Sequence, residues 1–279
     1  MRTLPAPTID HVVINVRDRL DEAQILYRRL GFHLTPRGYH SLGSTNHLAI
    51  FGTDYLELIA VPPGKTDRND ILQYPQGLNG LVFGAEDAQG IHARLIAAGV
   101  PIEPPNDFVR PVELPDGPQD ASFRTVRLTH GVVPAGRLYF CQHFTRHLVW
   151  RDEWRTHANG VVGVVSATIC SETPEVLGGL LAQMFGDRSV RPISNGCQLV
   201  LGMSSFDIVM PAEIAHRFGD AAPDPEGRTE YMAALTLRTR SLDLAAQALR
   251  HGGIPFVQTG SHVLVAAAET MGATLEFVA

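Results

Sequence analysis

The feature that most constrains this chain is a structural unit that recurs four times along its 279 residues. Each copy opens with a β-rich run, continues with apolar residues at helical spacing and closes with two further β-rich runs that indicate a hairpin. Each predicted helix ends at a glycine, a residue that readily terminates helices. These glycines are Gly31, Gly99, Gly186 and Gly253. A repeat of this kind indicates a fold built from one supersecondary unit, here in the order βαβββ.

The spacing of the copies predicts the organisation of the chain. A polar connector that contains Trp150 and Trp154 falls near its midpoint. We therefore predict two halves of two modules each, residues 1–146 and 147–279, in an α+β fold. The four predicted modules cover residues 9–61, 78–144, 160–210 and 230–279.

Composition excludes several classes of function. The net charge is −6 and basic residues form no run, so nucleic acid is not an expected partner. The sequence contains no stretch of about 18 apolar residues, so no membrane span is expected. Its N-terminus lacks the apolar segment of a secretory signal. The three cysteines form no C-x-x-C motif, which disfavours a disulfide framework or a zinc knuckle. A cytoplasmic location is the expectation.

Three segments rich in proline and aspartate are predicted to be long loops. Loops of this length in compact domains more often serve as functional lids than as spacers, although the third could equally be a mobile surface segment. The segments cover residues 63–76, 104–120 and 211–230. The glycine-rich stretches match neither nucleotide-binding fingerprint, and no G-x-S-x-G elbow occurs, so neither nucleotide binding nor serine hydrolysis has motif support.

The first module carries motifs that point to a known family. They are I-D-H-V-V-I-N-V at 9–16, L-Y-x-x-L-G-F at 26–32 and Y-L-E-L at 55–58, followed in the second module by Y-F-C-Q-H at 139–143. The chain resembles the vicinal oxygen chelate superfamily and, within it, the glyoxalase-like branch. The resemblance is specific in the first module and covers the rest as architecture.

The resemblance implies that paired modules form a curved sheet of eight strands around a cup, with helices on its outer face. The expected fold class is therefore α+β, with four βαβββ modules in two curved mixed sheets. Members of the superfamily include glyoxalase I, extradiol dioxygenases, fosfomycin-resistance proteins, epimerases and proteins that bind drugs without chemistry.

His11 lies in the middle of the first predicted strand. Alternation along a strand puts His11 and Val13 on one face, and Val12 and Ile14 on the other. Since the helix should cover the wholly apolar face, His11 is expected to point into the cup. The family commonly has a metal-binding histidine at this place, whereas the residue taken alone could equally be a half-buried histidine bonded to a backbone carbonyl.

Glu57 interrupts an otherwise apolar strand. A buried carboxylate is costly unless it is paired or coordinated, so the alternative to a ligand is an outward, solvated side chain. The family resemblance makes Glu57 the ligand from the fourth strand. If the hairpin loop has three residues, His47 shares the face of Glu57. We therefore predict Glu57 and His47 as catalytic residues, with His47 as a substitute ligand or as a residue that orients one.

A third ligand is predicted from the second module. Alternation groups His143 with Tyr139 and Cys141, so His11, Glu57 and His143 would form a metal site of two histidines and one carboxylate. Such a set suits a divalent ion of iron, manganese, zinc or nickel. A thiolate role for Cys141 is the less favoured alternative to a buried, inert cysteine.

The expected function is that of a metal-dependent lyase, isomerase or dioxygenase whose small substrate carries two neighbouring oxygens. Glu57 would bind the metal or, in an isomerase, act as a base. The alternative is a metal-free protein that sequesters a small molecule in the same cup, because Asn79 and Gly80 stand where a further histidine ligand would be expected. Ser166 and Ala233 stand at the position of His11 in the third and fourth copies. The second half is therefore expected to be a structural copy without a metal site. A monomer or a homodimer is expected.

Overall fold

The structure is a computed structural model that describes residues 4, 6–65, 68–114 and 117–279. The strands of the first half form one sheet of eight, in the order β2-β3-β4-β1-β5-β8-β7-β6. Its strands are β1 (Ile9–Asn15), β2 (Gly38–Tyr39), β3 (Thr45–Ile50), β4 (Tyr55–Ala60), β5 (Gly77–Ala85), β6 (Asn106–Val112), β7 (Gln119–Arg127) and β8 (Arg137–His143). Its helices are α1 (Leu20–Arg29), α2 (Asn69–Leu72) and α3 (Ala88–Ala97).

The second half repeats this topology as β10-β11-β12-β9-β13-β16-β15-β14. Its strands are β9 (Val161–Ser171), β10 (Val190–Ile193), β11 (Gly196–Leu201), β12 (Ser204–Val209), β13 (Glu230–Thr239), β14 (Val257–Gln258), β15 (Val263–Val265) and β16 (Thr274–Val278). Its helices are α4 (Pro174–Phe185), α5 (Pro211–Phe218) and α6 (Leu242–Gly252). The predicted α+β fold of four βαβββ modules in two mixed sheets is confirmed.

The glycines that define the repeat have a common backbone role. After each of the four long helices the chain passes through a residue with positive φ, a conformation that glycine adopts without steric penalty. The φ angles are 89° at Gly31, 75° at Gly99, 91° at Gly186 and 64° at Gly253. The helix ends could therefore be placed from sequence alone.

Strand alternation separates the two faces of the first sheet. Val12 and Ile14 pack with α1 and α3 on the convex face, whereas Val13 packs with Tyr55 and Tyr139 on the concave face. The convex faces of both sheets and their helices belong to one continuous core. The rings of Phe83 and Phe206, one from each sheet, lie 5.5 Å apart in this core.

All three predicted loops contain regular structure that the composition concealed. Strand β6 lies inside the segment 104–120, where Pro111 is tolerated because β6 is an edge strand. Helix α5 lies inside 211–230 and begins with Pro211, a favourable first residue of a helix. The segment 63–76 contains the short helix α2, and residues 66–67 and 115–116 of these segments lie outside the described residues.

Candidate functional site

His11 occupies the centre of the first sheet and lines its concave cup. Strand β1 lies between β4, to which it runs parallel, and β5, to which it runs antiparallel. The imidazole is 3% exposed and stacks on the ring of Tyr55 with 4.4 Å between the centroids. A central strand and a stacked neighbour hold the ring in one orientation.

Asp10 fixes the proton arrangement of His11. The register of β1 against β5 shifts by one residue between Ile9 and His11, so Asp10 is the extra residue of a bulge. The bulge lets neighbouring side chains meet: His11 Nδ1 lies 2.6 Å from Asp10 Oδ1. A carboxylate accepts the proton of Nδ1, which leaves the lone pair of Nε2 free inside the cup.

The same carboxylate also receives a second imidazole. His143 Nε2 lies 3.0 Å from Asp10 Oδ1, so Asp10 sits between two histidines. Burial alone raises the pKa of Asp10, but the charge of His143 and the hydrogen bonds from both histidines outweigh it and hold the pKa well below its usual value. Asp10 is therefore ionised at neutral pH, and no feature of the sequence pattern revealed this role.

Glu57 reaches the cup from β4 and meets His11. Its Oε2 lies 3.6 Å from His11 Nε2, and its Oε1 accepts a hydrogen bond of 2.6 Å from Asn46 Nδ2. Burial raises the pKa of Glu57, but the nearby His40 and His11 and the Asn46 hydrogen bond bring the net shift below the usual value. The sequence pattern thus placed His11 and Glu57 correctly on one face of the sheet.

Two further residues line the cup, and the sequence argument missed one of them, His40. His40 Nε2 lies 3.9 Å from Glu57 Oε1, and burial lowers the pKa of His40 to about 3, so its ring is neutral. Tyr139 Oη lies 3.3 Å from His11 Nε2. His40 follows a two-residue edge strand, which no periodicity could predict, whereas Tyr139 shares the face predicted for His143.

The predicted position of His47 is wrong because the hairpin loop is one residue longer than expected. The observed register pairs Ile50 with Tyr55, Leu48 with Glu57 and His47 with Leu58. A shift of one residue moves a side chain to the other face of a sheet. His47 therefore lies on the convex side, where its Nδ1 is 2.8 Å from the carbonyl of Thr35, and it does not share the cup with Glu57.

His143 belongs to the cluster but lies behind His11. Its Nε2 is taken by Asp10, whereas its buried Nδ1 has no partner among the described residues, and no ion pair joins His143 to Glu57 there. Ligand atoms of Asp10, Cys141 and His143 all lie within 4.8 Å of one another and form a second possible ligand set. Burial raises the pKa of Cys141 well above its usual value, which disfavours a thiolate there.

Arginines line the opposite part of the cup. They are Arg68, Arg110, Arg127 and Arg137. The carboxylate of Asp70 pairs with three of them: it forms a double hydrogen bond with Arg68, lies 2.8 Å from Arg127 Nη1 and 3.7 Å from Arg137 Nη1. These arginines come from four separate segments of the first half, so no local sequence motif could predict that they would lie together.

The connector closes the other end of the cup. The ring of Trp150 packs 4.9 Å from the His143 ring and 5.3 Å from the Tyr55 ring, and Trp154 belongs to the same cluster. The tryptophans therefore complete the first cup. Their effect is to exclude water from the histidines.

The second cup is filled by the protein itself. Ile214 and Phe218 of α5 pack against concave-face residues of the second sheet such as Tyr231. Ser166 and Asp207 occupy the register positions of His11 and Glu57 in the second sheet. The second sheet thus lacks an imidazole at the place of His11.

A family model for the glyoxalase-like domain matches residues 9–185 of the chain. The match includes the whole first sheet and extends through α4 of the second half. No curated protein matches the chain in sequence. Within the described part of the chain, no helix is both long enough and apolar enough to span a bilayer.

Solved structures share the fold at low sequence identity. A hypothetical protein from Staphylococcus aureus is 13% identical with a TM-score of 0.70, over 97% of this chain and 98% of that one. A mutant of 4-hydroxymandelate synthase from Streptomyces coelicolor is 13% identical with a TM-score of 0.58, over 99% and 93%. A fusion of a xylose isomerase-like TIM barrel with 4-hydroxyphenylpyruvate dioxygenase is 13% identical with a TM-score of 0.61, over 99% of this chain and 49% of that one. Identity this low supports a common fold alone.

Proposed function

Because the chain belongs to the glyoxalase-like domain family of the vicinal oxygen chelate superfamily, we propose that its first cup is the active site of a metal-dependent enzyme. The proposed substrate is a small molecule with two neighbouring oxygens. The observation that supports this most is the pair formed by His11 Nε2 and Glu57 Oε2, 3.6 Å apart, with His11 Nδ1 held by Asp10. A histidine bonded to a carboxylate through its other nitrogen is the usual arrangement of a metal-binding histidine.

The donor set fits a divalent ion of iron, manganese, zinc or nickel. His11 and Glu57 would hold such an ion, which supplies a Lewis acid that polarises the substrate oxygens. Glu57 Oε2, which Asn46 leaves free, can alternatively take a proton from the substrate. Burial raises the pKa of Tyr139, so its hydroxyl keeps its proton and can donate to a substrate oxygen beside His11.

The reaction can be isomerisation, C–C bond cleavage or oxygen insertion, and each places negative charge on a substrate oxygen. The apolar wall formed with Trp150 and Tyr55 would strengthen the electrostatic interactions at that oxygen, because it excludes water. The proposed catalytic role of Glu57 follows from this geometry, whereas His47 lies outside the cup and is not retained as a catalytic residue.

The test is the metal content of the full chain purified without chelator, alone and as His11→Ala and Glu57→Ala. We expect close to one metal per chain in the natural protein and loss in both variants. Ser166→Ala and Asp207→Ala, at the corresponding positions of the second sheet, are matched controls that should retain the metal. Metal that persists in both cup variants would contradict the proposed ligands, and its loss in Cys141→Ser alone would favour the second ligand set.

A metal-free binding protein is the second candidate. The observation that favours it is the arginine-lined wall, which can attract a ligand without any metal. Purified protein that contains no metal, and that takes up none when titrated with the four candidate ions, would support this candidate over the enzyme.

A further inference from the structure

Arg110 is a buried cation for which the described residues provide no partner. It lies on β6 and is 3% exposed, and among the described residues it makes no hydrogen bond or ion pair, with its Nη2 fully enclosed. Its side chain lies directly over Gly38, where a Cβ would come within 2.6 Å of Arg110 Cδ. Burying an unpaired guanidinium is strongly unfavourable, so such a residue is typical of a site that completes itself with a ligand.

Two neighbouring arginines also have buried donor nitrogens that form no hydrogen bond with the described residues. Arg137 donates through Nε to Asn79 Oδ1 at 2.8 Å, yet its buried Nη2 finds no partner in the described part of the chain. Arg127 donates through Nη1 to Asp70, yet no described residue accepts from its buried Nε. Since protein interiors rarely leave donors unpaired, these groups point to an acceptor outside the described residues, such as a bound ligand.

The charge of the cup has the same implication. Four guanidiniums face the carboxylates of Glu57 and Asp70, and the ionised Asp10 lies behind His11, which leaves an excess of one positive charge if the imidazoles are neutral. A divalent ion at His11 and Glu57 would add to this excess. An anionic ligand is the simplest means to offset it.

The walls beside the arginines are aromatic. Phe108 and Phe123 stack with 5.0 Å between their ring centroids, and the guanidiniums of Arg127 and Arg137 lie over the ring of Tyr139 at 5.6 and 5.8 Å. Tyr139 connects this region to His11 through its hydroxyl. A ligand that is held by the arginines and reaches His11 therefore passes along aromatic rings, which favour a flat apolar body.

We infer that the first cup recognises an aromatic carboxylate, with the carboxylate held by Arg110 and Arg137 and the ring between Phe123 and Tyr139. This inference rests on the proposed function in naming the substrate class of that same cup. Arginine suits a carboxylate because its planar fork matches the two oxygens.

The test uses the full chain stripped of metal with EDTA, so that chelation cannot explain binding. Calorimetric titration compares 4-hydroxyphenylacetate with its neutral amide, 4-hydroxyphenylacetamide. We expect the acid to bind at least about tenfold more tightly, and Arg110→Met to weaken acid binding by about tenfold or more, as for loss of a hydrogen bond to a charged group. Equal binding of acid and amide, or no binding of the acid, would overturn the inference.

Matched variants separate this site from the metal site. Arg124→Met removes a partly exposed arginine of the adjacent strand β7, paired with Asp107, and should leave acid binding unchanged. Glu57→Gln should lose metal but bind the acid more tightly, because a nearby negative charge is removed. Arg110→Met should keep metal and melt no lower than the natural protein, since it removes a buried unpaired charge.

Inorganic phosphate distinguishes the source of the affinity. Phosphate is added as a competitor in the same calorimetric titration. If phosphate binds as tightly as the acid, the aromatic walls contribute nothing to the affinity and the inference of an aromatic ligand is overturned. Weaker competition by phosphate is the expected result. If the natural protein binds the acid but takes up no metal, the proposed metal-dependent enzyme is rejected and the inferred ligand class stands.

Discussion

At the scale of single residues, the bulge at Asp10 determines what the cup can do. It turns the Asp10 carboxylate towards His11 and His143, two imidazoles that strand alternation alone would keep away from it. The ionised carboxylate selects the protonated nitrogen of His11, so the free lone pair faces Glu57. The chemistry of His11 therefore depends on a neighbour that does not itself line the cup.

Asp10→Asn should lower the affinity for metal by about 10- to 100-fold, as for other partners of metal-binding histidines. An amide lacks the charge that favours the proton on His11 Nδ1. The measurement is a metal titration of the apoprotein, with Asp18→Asn, an exposed site near the end of the same strand, as the control. Unchanged affinity in Asp10→Asn would show that the bulge does not tune His11.

At the scale of elements, the hairpin between β3 and β4 shows where sequence reasoning succeeds and fails. The strands were predicted because their apolar runs flank a turn, but the loop length fixes the register, and one additional residue carried His47 out of the cup. Asn46 took its place beside Glu57. His11 and Glu57 could be placed from the repeat, since β1 and β4 pair without interruption from His11 to Asn15.

The arginines illustrate the other limit. Arg110 lies on an edge strand inside a segment whose prolines indicate a loop, and Arg68 follows a stretch without periodicity. Their proximity depends on how β6 pairs with β7 at the far edge of the sheet. Tertiary pairing of this kind leaves no trace in local sequence, so the charge of the cup became evident only from the structure.

Helix α5 accounts for the absence of a comparable cup in the second half. Phe218→Ala should lower the free energy of unfolding by about 3–5 kcal/mol, because it leaves a cavity in the middle of a buried cluster. Urea denaturation measures this, and Met203→Ala, at an 89% exposed side chain, should have almost no effect. An equally small effect at Phe218 would mean that α5 covers the second sheet only loosely.

At the scale of the whole molecule, the two halves are joined by polar contacts as well as by the core. Asp54, in the hairpin loop of the first half, accepts a hydrogen bond of 2.9 Å from the backbone nitrogen of Val164 on β9. His157 of the connector lies 2.8 Å from the carbonyl of Ile50 through its Nε2. Both side chains are buried, so the junction responds to pH.

Asp54→Asn should raise stability at neutral pH. Burial raises the pKa of Asp54 from 3.8 to about 6, so the folded state prefers the protonated form, and that contribution is present below about pH 3.8 and lost as pH rises through 6. The gain at pH 7 is at most about 3 kcal/mol, since one pKa unit corresponds to about 1.4 kcal/mol. Melting temperatures from pH 4 to 8 measure it, and the difference should shrink towards pH 4.

The control is Asp120→Asn, at an exposed position of β7, which should show no such pH dependence. A constant difference between Asp54→Asn and the natural protein across the range would instead mean that the carboxyl group does not titrate there.

The single apolar layer behind both sheets also governs what may be cut from this molecule. A protease nick followed by separation, or a stop codon in the connector, would leave each fragment with a broad water-facing hydrocarbon surface, and such fragments aggregate. The second half, which lacks a histidine at the centre of its sheet, thus covers the apolar convex face of the first half and keeps water from it. This covering role explains why the chain contains the second half without any catalytic site in it.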